Sequence, residues 1–133
     1  MSKHESWRTR AYWEKVGGLL IEEFQAVSAN SGGNVARRLI DGLIVLGEET
    51  TVRSGGSFDI SGRDVICIQT KGSRLGMYLM GQAFFSRELL MKLNPLSIRT
   101  VAICSKNDEL MSELCAAQDI EVVVMPDSQK MAS

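Results

Sequence analysis

Apolar residues recur at Trp7, Ala11, Val16, Leu19, Leu20, Phe24 and Val27. That three-to-four spacing predicts a helix over 5–28, with Gly17-Gly18 as its weak point and the turn formers Asn30-Ser31-Gly32-Gly33 as its end. The stretch 37–47 is short, apolar and bounded by glycine, which predicts a strand. From 48 to 60 the chain is polar, with β-favouring threonine and valine broken by Ser54-Gly55-Gly56-Ser57, and a hairpin arm or extended excursion is expected. Residues 64–71 give the clearest strand: an apolar run ends abruptly in polar side chains, placing Gln69 and Lys71 at its end. The segment 75–93 is a long helix, apolar on most faces, and such helices are buried on more than one side. It is expected to pack on the sheet and against a second subunit, and Asn94-Pro95 stops it. A strand over 98–104, a helix over 108–117 and a strand over 120–125 follow, with a frayed tail after Pro126.

This order, α-β-β-β-α-β-α-β, predicts an α/β fold in which a central mixed β-sheet is flanked by α-helices. Strands close in sequence favour antiparallel pairing in the first half, and the long helix allows a right-handed parallel crossover. With 133 residues, one domain is expected over 1–133, its core about 7–125 and its tail 126–133.

Composition narrows the class. Hydrophobic residues make up 44% and charged residues 23%, the balance of a globular chain. No window is apolar for long enough to span a membrane, and the N-terminus lacks the apolar core of a signal peptide. Cys67, Cys104 and Cys115 form no Cys-x-x-Cys pair and read as small buried hydrophobes rather than zinc ligands. Together these features point to the cytoplasm. A net charge of −1 does not mark a nucleic-acid binder, so any such role must rest on local patches.

The chemistry centres on Asp41 and Gln69-Thr70-Lys71. Alternation along a strand sends Gln69 and Lys71 to one face. If the strand carrying Asp41 pairs beside it, a carboxylate, an amide oxygen and an ammonium converge. Such oxygens suit Mg2+ or Mn2+, which accept hard donors and retain waters. The ion acidifies water and offsets phosphoryl charge, and the lysine orients the water or neutralises developing charge. The set suits phosphodiester hydrolysis.

An aspartate on one strand, an apolar strand ending in (Glu or Gln)-x-Lys, and then a long helix resembles the PD-(D/E)XK, restriction-endonuclease-like superfamily, over about 7–124. The resemblance implies a core of helix, three strands, helix and strand. It also implies metal-dependent cleavage of DNA, usually by a homodimer when the domain is this small, with no organic cofactor. A glutamate on the first helix often joins the site in that family; Glu22, or else Glu23, is the position here. Gln69 stands where glutamate is usual, which removes one formal charge from the metal site. Ile40, rather than proline, precedes Asp41. Phe58-Asp59, behind a Gly/Ser-rich approach, is a competing metal aspartate. Asp41 is preferred for its strand-like context behind Arg37-Arg38.

Arg37, Arg38 and Arg74 are the expected phosphate contacts, with Arg53 and Arg63 as further cations. Each residue also has a plainer role: Gln-x-Lys as a solvated strand end, Asp41 or Asp59 as turn closers, Glu22 and Glu23 as the wet face of a helix. Trp7, Tyr12 and Trp13 suit anchoring of the first helix better than base stacking. His4 is the one histidine and lies in a terminus, so histidine catalysis is not expected. Two rival classes remain open: an inactive nuclease-like module for DNA binding or subunit assembly, and a parallel α/β small-molecule or signalling domain.

Overall fold

The computed structural model describes residues 3–132. In chain order the elements are α1 (Lys3–Val16), β1 (Leu19–Val27), β2 (Arg38–Val45), β3 (Thr51–Ser54), β4 (Asp64–Arg74), α2 (Met77–Met91), β5 (Ser97–Lys106), α3 (Glu109–Ala117), β6 (Ile120–Val124) and α4 (Asp127–Ala132). Six strands form one mixed sheet in the order β3-β1-β2-β4-β5-β6. β2 runs antiparallel to β1 and β4, whereas β4, β5 and β6 run parallel, as does the β1–β3 pair. The α/β class and the mixed, helix-flanked sheet agree with the sequence. Among the described residues no helix is long and apolar enough to cross a membrane.

Three expectations need correction. The helix expected over 5–28 ends at Val16, and Leu19–Val27 is a strand. Gly17 and Gly18 both take positive φ (81° and 86°), which other residues adopt only under strain, so the chain reverses there. A Cβ on Gly18 would meet the Val45 carbonyl oxygen at 2.9 Å, so the turn also needs glycine for space. The expected order therefore gains a strand after the first helix. The arm at 48–60 is no hairpin: β3 pairs parallel with β1 at the sheet edge. The tail after Pro126 contains α4, and buried Arg8 ties its start down by bonding the Met125 carbonyl at 2.9 Å and pairing with Asp127.

Both faces of the sheet are covered. Tyr12 of α1 packs with Leu20, Ile44, Ile66 and Ile68 on one side. On the other, Leu90 of α2 packs with Ile21, Leu43, Val45 and Cys67, and α2 and α3 enclose Ala102, Cys104 and Cys115. Double coverage explains the misread run at Leu19–Ile21: with both faces of β1 buried there, no apolar–polar alternation marks it as a strand. The three cysteines are buried and unbridged, as expected.

Candidate active site

The sheet opens at the carboxyl end of β4. β2 and β4 pair from Val45–Val65 to Gly42–Ile68, and one step further in that register sets Asp41 opposite Gln69. Asp41 spans the widening gap with its side chain: Oδ2 accepts a hydrogen bond from the Thr70 N–H at 3.0 Å. A carboxylate here takes the backbone donor where the ladder has ended, which holds it across the mouth between the two strands.

Alternation assigns the faces. Ile66 and Ile68 pack on the α1 side and Cys67 on the α2 side, so Gln69 and Lys71 continue the α2 side. Gln69 is 3% exposed, and its Nε2 donates to Ser86 Oγ on α2 at 2.7 Å. Lys71 is exposed, its Nζ 5.3 Å from the ring centroid of Tyr78 on α2. A Cβ on Gly42 would point at Thr9 of α1, so alternation turns Asp41 to the α2 side. Burial first, and then the Asp41 charge, push the Cys67 thiol up to about 12 against the pull of Arg87.

Glu22 sits elsewhere than expected. It is on β1, opposite Gly42, and not on the first helix. Although it neighbours Asp41 across the ladder, it is 6% exposed and takes a two-pronged bond from Arg10 of α1, at 2.9 and 2.8 Å. Those hydrogen bonds, and the Glu22 charge, raise the Arg10 pKa. Glu23 is also on β1, half-buried, at a positive φ of 52°. Asp59 is exposed and accepts from the Ser61 N–H at 3.0 Å, a turn-closing contact. Of the two competing aspartates, Asp41 is the one beside Gln69.

The cations divide into two groups. Arg37 and Arg38 lie exposed at the start of β2, and Arg74 at the end of β4, paired in the sheet with Lys106 of β5. Because β2 is antiparallel to β4, these residues and Lys71 rim the same end of the sheet. Arg53 and Arg63 serve a loop instead. Both guanidiniums lie over Phe58; Arg53 donates to the Ser57 carbonyl, and Arg63 pairs with Glu48 at 2.8 Å. Trp7, Tyr12 and Trp13 pack against the α1-side core, and Trp13 Nε1 donates to the Gly18 carbonyl at 2.7 Å.

Ser86, Tyr78, Arg10 and Lys106 were not found by sequence reasoning. Ser86 did leave a signal: it is the polar member of the buried stripe Leu79, Ala83, Ser86, Leu90. Arg10 left none, because its partner was placed on the same helix.

Among the described residues no group of three His, Cys, Asp or Glu side chains is arranged to hold a metal ion. The donors beside one another are a carboxylate, Asp41, and an amide oxygen, Gln69. Hard oxygens of this kind fit magnesium or manganese that keeps several waters, held with a single formal charge. Compared with models of protein families, with curated proteins and with solved structures, the chain finds no match in any of the three.

Proposed function

We propose that this chain is a metal-dependent endonuclease of the PD-(D/E)XK type that hydrolyses DNA phosphodiester bonds. The observation that carries the reading is that Asp41 accepts a hydrogen bond from the Thr70 N–H where the β2–β4 ladder ends, on the strand whose Gln69 and Lys71 face α2. The chain order supports it: apart from the four-residue edge strand β3, α1, β1, β2, β4, α2 and β5 run helix, three strands, helix, strand.

In this reading Asp41 and Gln69 hold Mg2+ or Mn2+, which supplies charge neutralisation at the phosphoryl oxygens and acidifies water. The Thr70 N–H keeps the Asp41 carboxylate oriented, and Ser86 keeps the Gln69 amide oriented. The Lys71 ammonium, exposed beside Tyr78, orients the attacking water or offsets charge on the phosphate. Arg37, Arg38 and Arg74, with Lys106, contact the DNA backbone along the rim.

The test is cleavage of supercoiled plasmid with magnesium and with manganese, wild type beside Lys71→Ala. Metal-dependent nicking that is lost in the variant is expected. Undiminished cutting by Lys71→Ala overturns the assignment. Two observations favour a second reading, an inactive module for DNA binding or subunit assembly: Gln69 is neutral, and Glu22 is engaged by Arg10 on the α1 side. Calorimetry with manganese separates the two readings, since tight binding that Asp41→Ala abolishes contradicts an inactive site.

A further inference from the structure

Between α2 and α3 lies an open apolar groove of about 580 Å³. Leu79, Ala83, Ser86 and Leu90 are the buried residues of α2, while Met77 is 80% and Phe85 66% exposed. Both line the groove, with Leu110 and Leu114 of α3 opposite them. A pocket that holds a small molecule carries a few convergent polar groups to orient it. Here Gln118 is the one polar residue of the lining, and its carbonyl is taken by Arg87. The lining is suited to large apolar anchors, and its methionines, flexible and polarisable, adapt to their shape.

Two further features select the occupant. Gly81 lies within α2 and lines the groove. Glycine is a poor helix former, and a Cβ at position 81 would meet nothing within 4 Å. Nothing inside the protomer requires glycine there, whereas close approach of another helix does. Charge then says which helix. Glu109 and Glu113 stand exposed on α3 one turn apart, each next in sequence to a groove-lining leucine. Like charges at that spacing repel and weaken a helix, and among the described residues neither carboxylate has a bonding partner. A cation laid along this edge relieves the repulsion. The face itself supplies none: Met77 to Ser86 are uncharged, the charges of α3 are these two acids, and Arg87 is already held by Glu88 and the Gln118 carbonyl. A second copy of the face would therefore add acids without a matching cation.

We propose that this groove docks a basic amphipathic helix of a partner protein. Its large apolar residues, at i, i+3 or i+4 and i+7, seat between α2 and α3 and cross Gly81, and lysines or arginines along one edge pair with Glu109 and Glu113. The surface uses none of Asp41, Gln69 and Lys71 and stands independently of the nuclease reading.

The probe is a labelled synthetic peptide helix with leucine and tryptophan at that spacing and lysine along one flank, titrated with the purified chain by fluorescence anisotropy. A second peptide carries glutamate in place of each lysine. Wild type is expected to bind the lysine peptide at least about tenfold more tightly than the glutamate peptide, and the double variant Glu109→Lys, Glu113→Lys should reverse that preference. Phe85→Glu should weaken binding of the lysine peptide by at least about tenfold. Gly81→Gln, a better helix former with an open side chain, should raise the unfolding midpoint and yet weaken binding by about fivefold or more. These positions are open in the protomer, so circular dichroism should match wild type. Leu96→Glu, exposed outside this groove, is the control and should bind as wild type does. The proposal is overturned if the folded wild type shows no saturable binding, binds both peptides alike, or binds as well after Phe85→Glu. A wild type that sediments as a dimer and is made monomeric by Phe85→Glu also overturns it, because a second copy then fills the groove.

Discussion

Glu22 and Asp41 make an instructive pair. Glu22 lies opposite Gly42 in the β1–β2 ladder, so the two carboxylates are one residue apart across neighbouring strands. Strand alternation turns them to different sides. Glu22 faces α1, where Arg10 closes on it with two bonds and Gly42 leaves α1 close to the sheet. Asp41 faces the α2 side, at the mouth between β2 and β4, beside an oriented amide and a solvent-facing ammonium. One acid is clamped by an arginine, and the other is the acid to which we assign the chemistry. Neither residue type nor position in the chain distinguishes them; the side of the sheet does.

Four experiments can break or sharpen that contrast. The largest effect is expected from Asp41→Asn, which keeps an acceptor for the Thr70 N–H but removes the charge. Cleavage should fall by about 100-fold or more, with little change in the urea midpoint. Next comes Gly42→Ala. Its Cβ would stand 2.6 Å from Thr9 Cγ2, so α1 must move, and urea denaturation should show a loss of about 1–3 kcal/mol.

The third concerns alkaline stability. The Cys67 thiol is raised from 9.0 to about 12, so the unfolded chain releases this proton first. The stabilisation is complete below pH 9 and declines as pH rises towards 12, by about 1.4 kcal/mol per pH unit. Cys67→Ala should flatten that decline, measured as unfolding midpoint against pH. Cys104 and Cys115, raised chiefly by burial, leave a residual slope. The smallest effect is expected from Glu22→Gln. Arg10 is half-exposed and regains water, so stability should fall by only about 1 kcal/mol while cleavage holds within a few-fold. If cleavage fell as far as in Asp41→Asn, the two acids would be acting together and the contrast would be lost.

The long apolar helix, the strand carrying Gln69-Thr70-Lys71 and the α/β class were legible from the chain, because each rests on local periodicity, although that strand runs beyond its expected end at Lys71 to Arg74. The helix and strands from Met77 to Val124 lie within two residues of their expected bounds. The first third was not legible in the same way. Leu19, Leu20 and Ile21 are all buried, and a strand covered on both faces offers no alternation to read. The glycine pair at 17–18 was visible, but that it reverses the chain depends on Val45 and Ile44 approaching it from β2.

The site divides along the same line. By itself the sequence determined that Gln69 and Lys71 share a face, since alternation along a strand is a local property. Only the tertiary structure decided that Asp41 reaches the Thr70 N–H next to Gln69, that Ser86 holds the amide, and that Glu22 belongs to Arg10 on the far side of the sheet. Those relations are set by register and helix placement between segments 12 to 29 residues apart. Local pattern carries no information about such pairings; they are fixed when the two faces of the sheet bury their apolar side chains under α1 and α2.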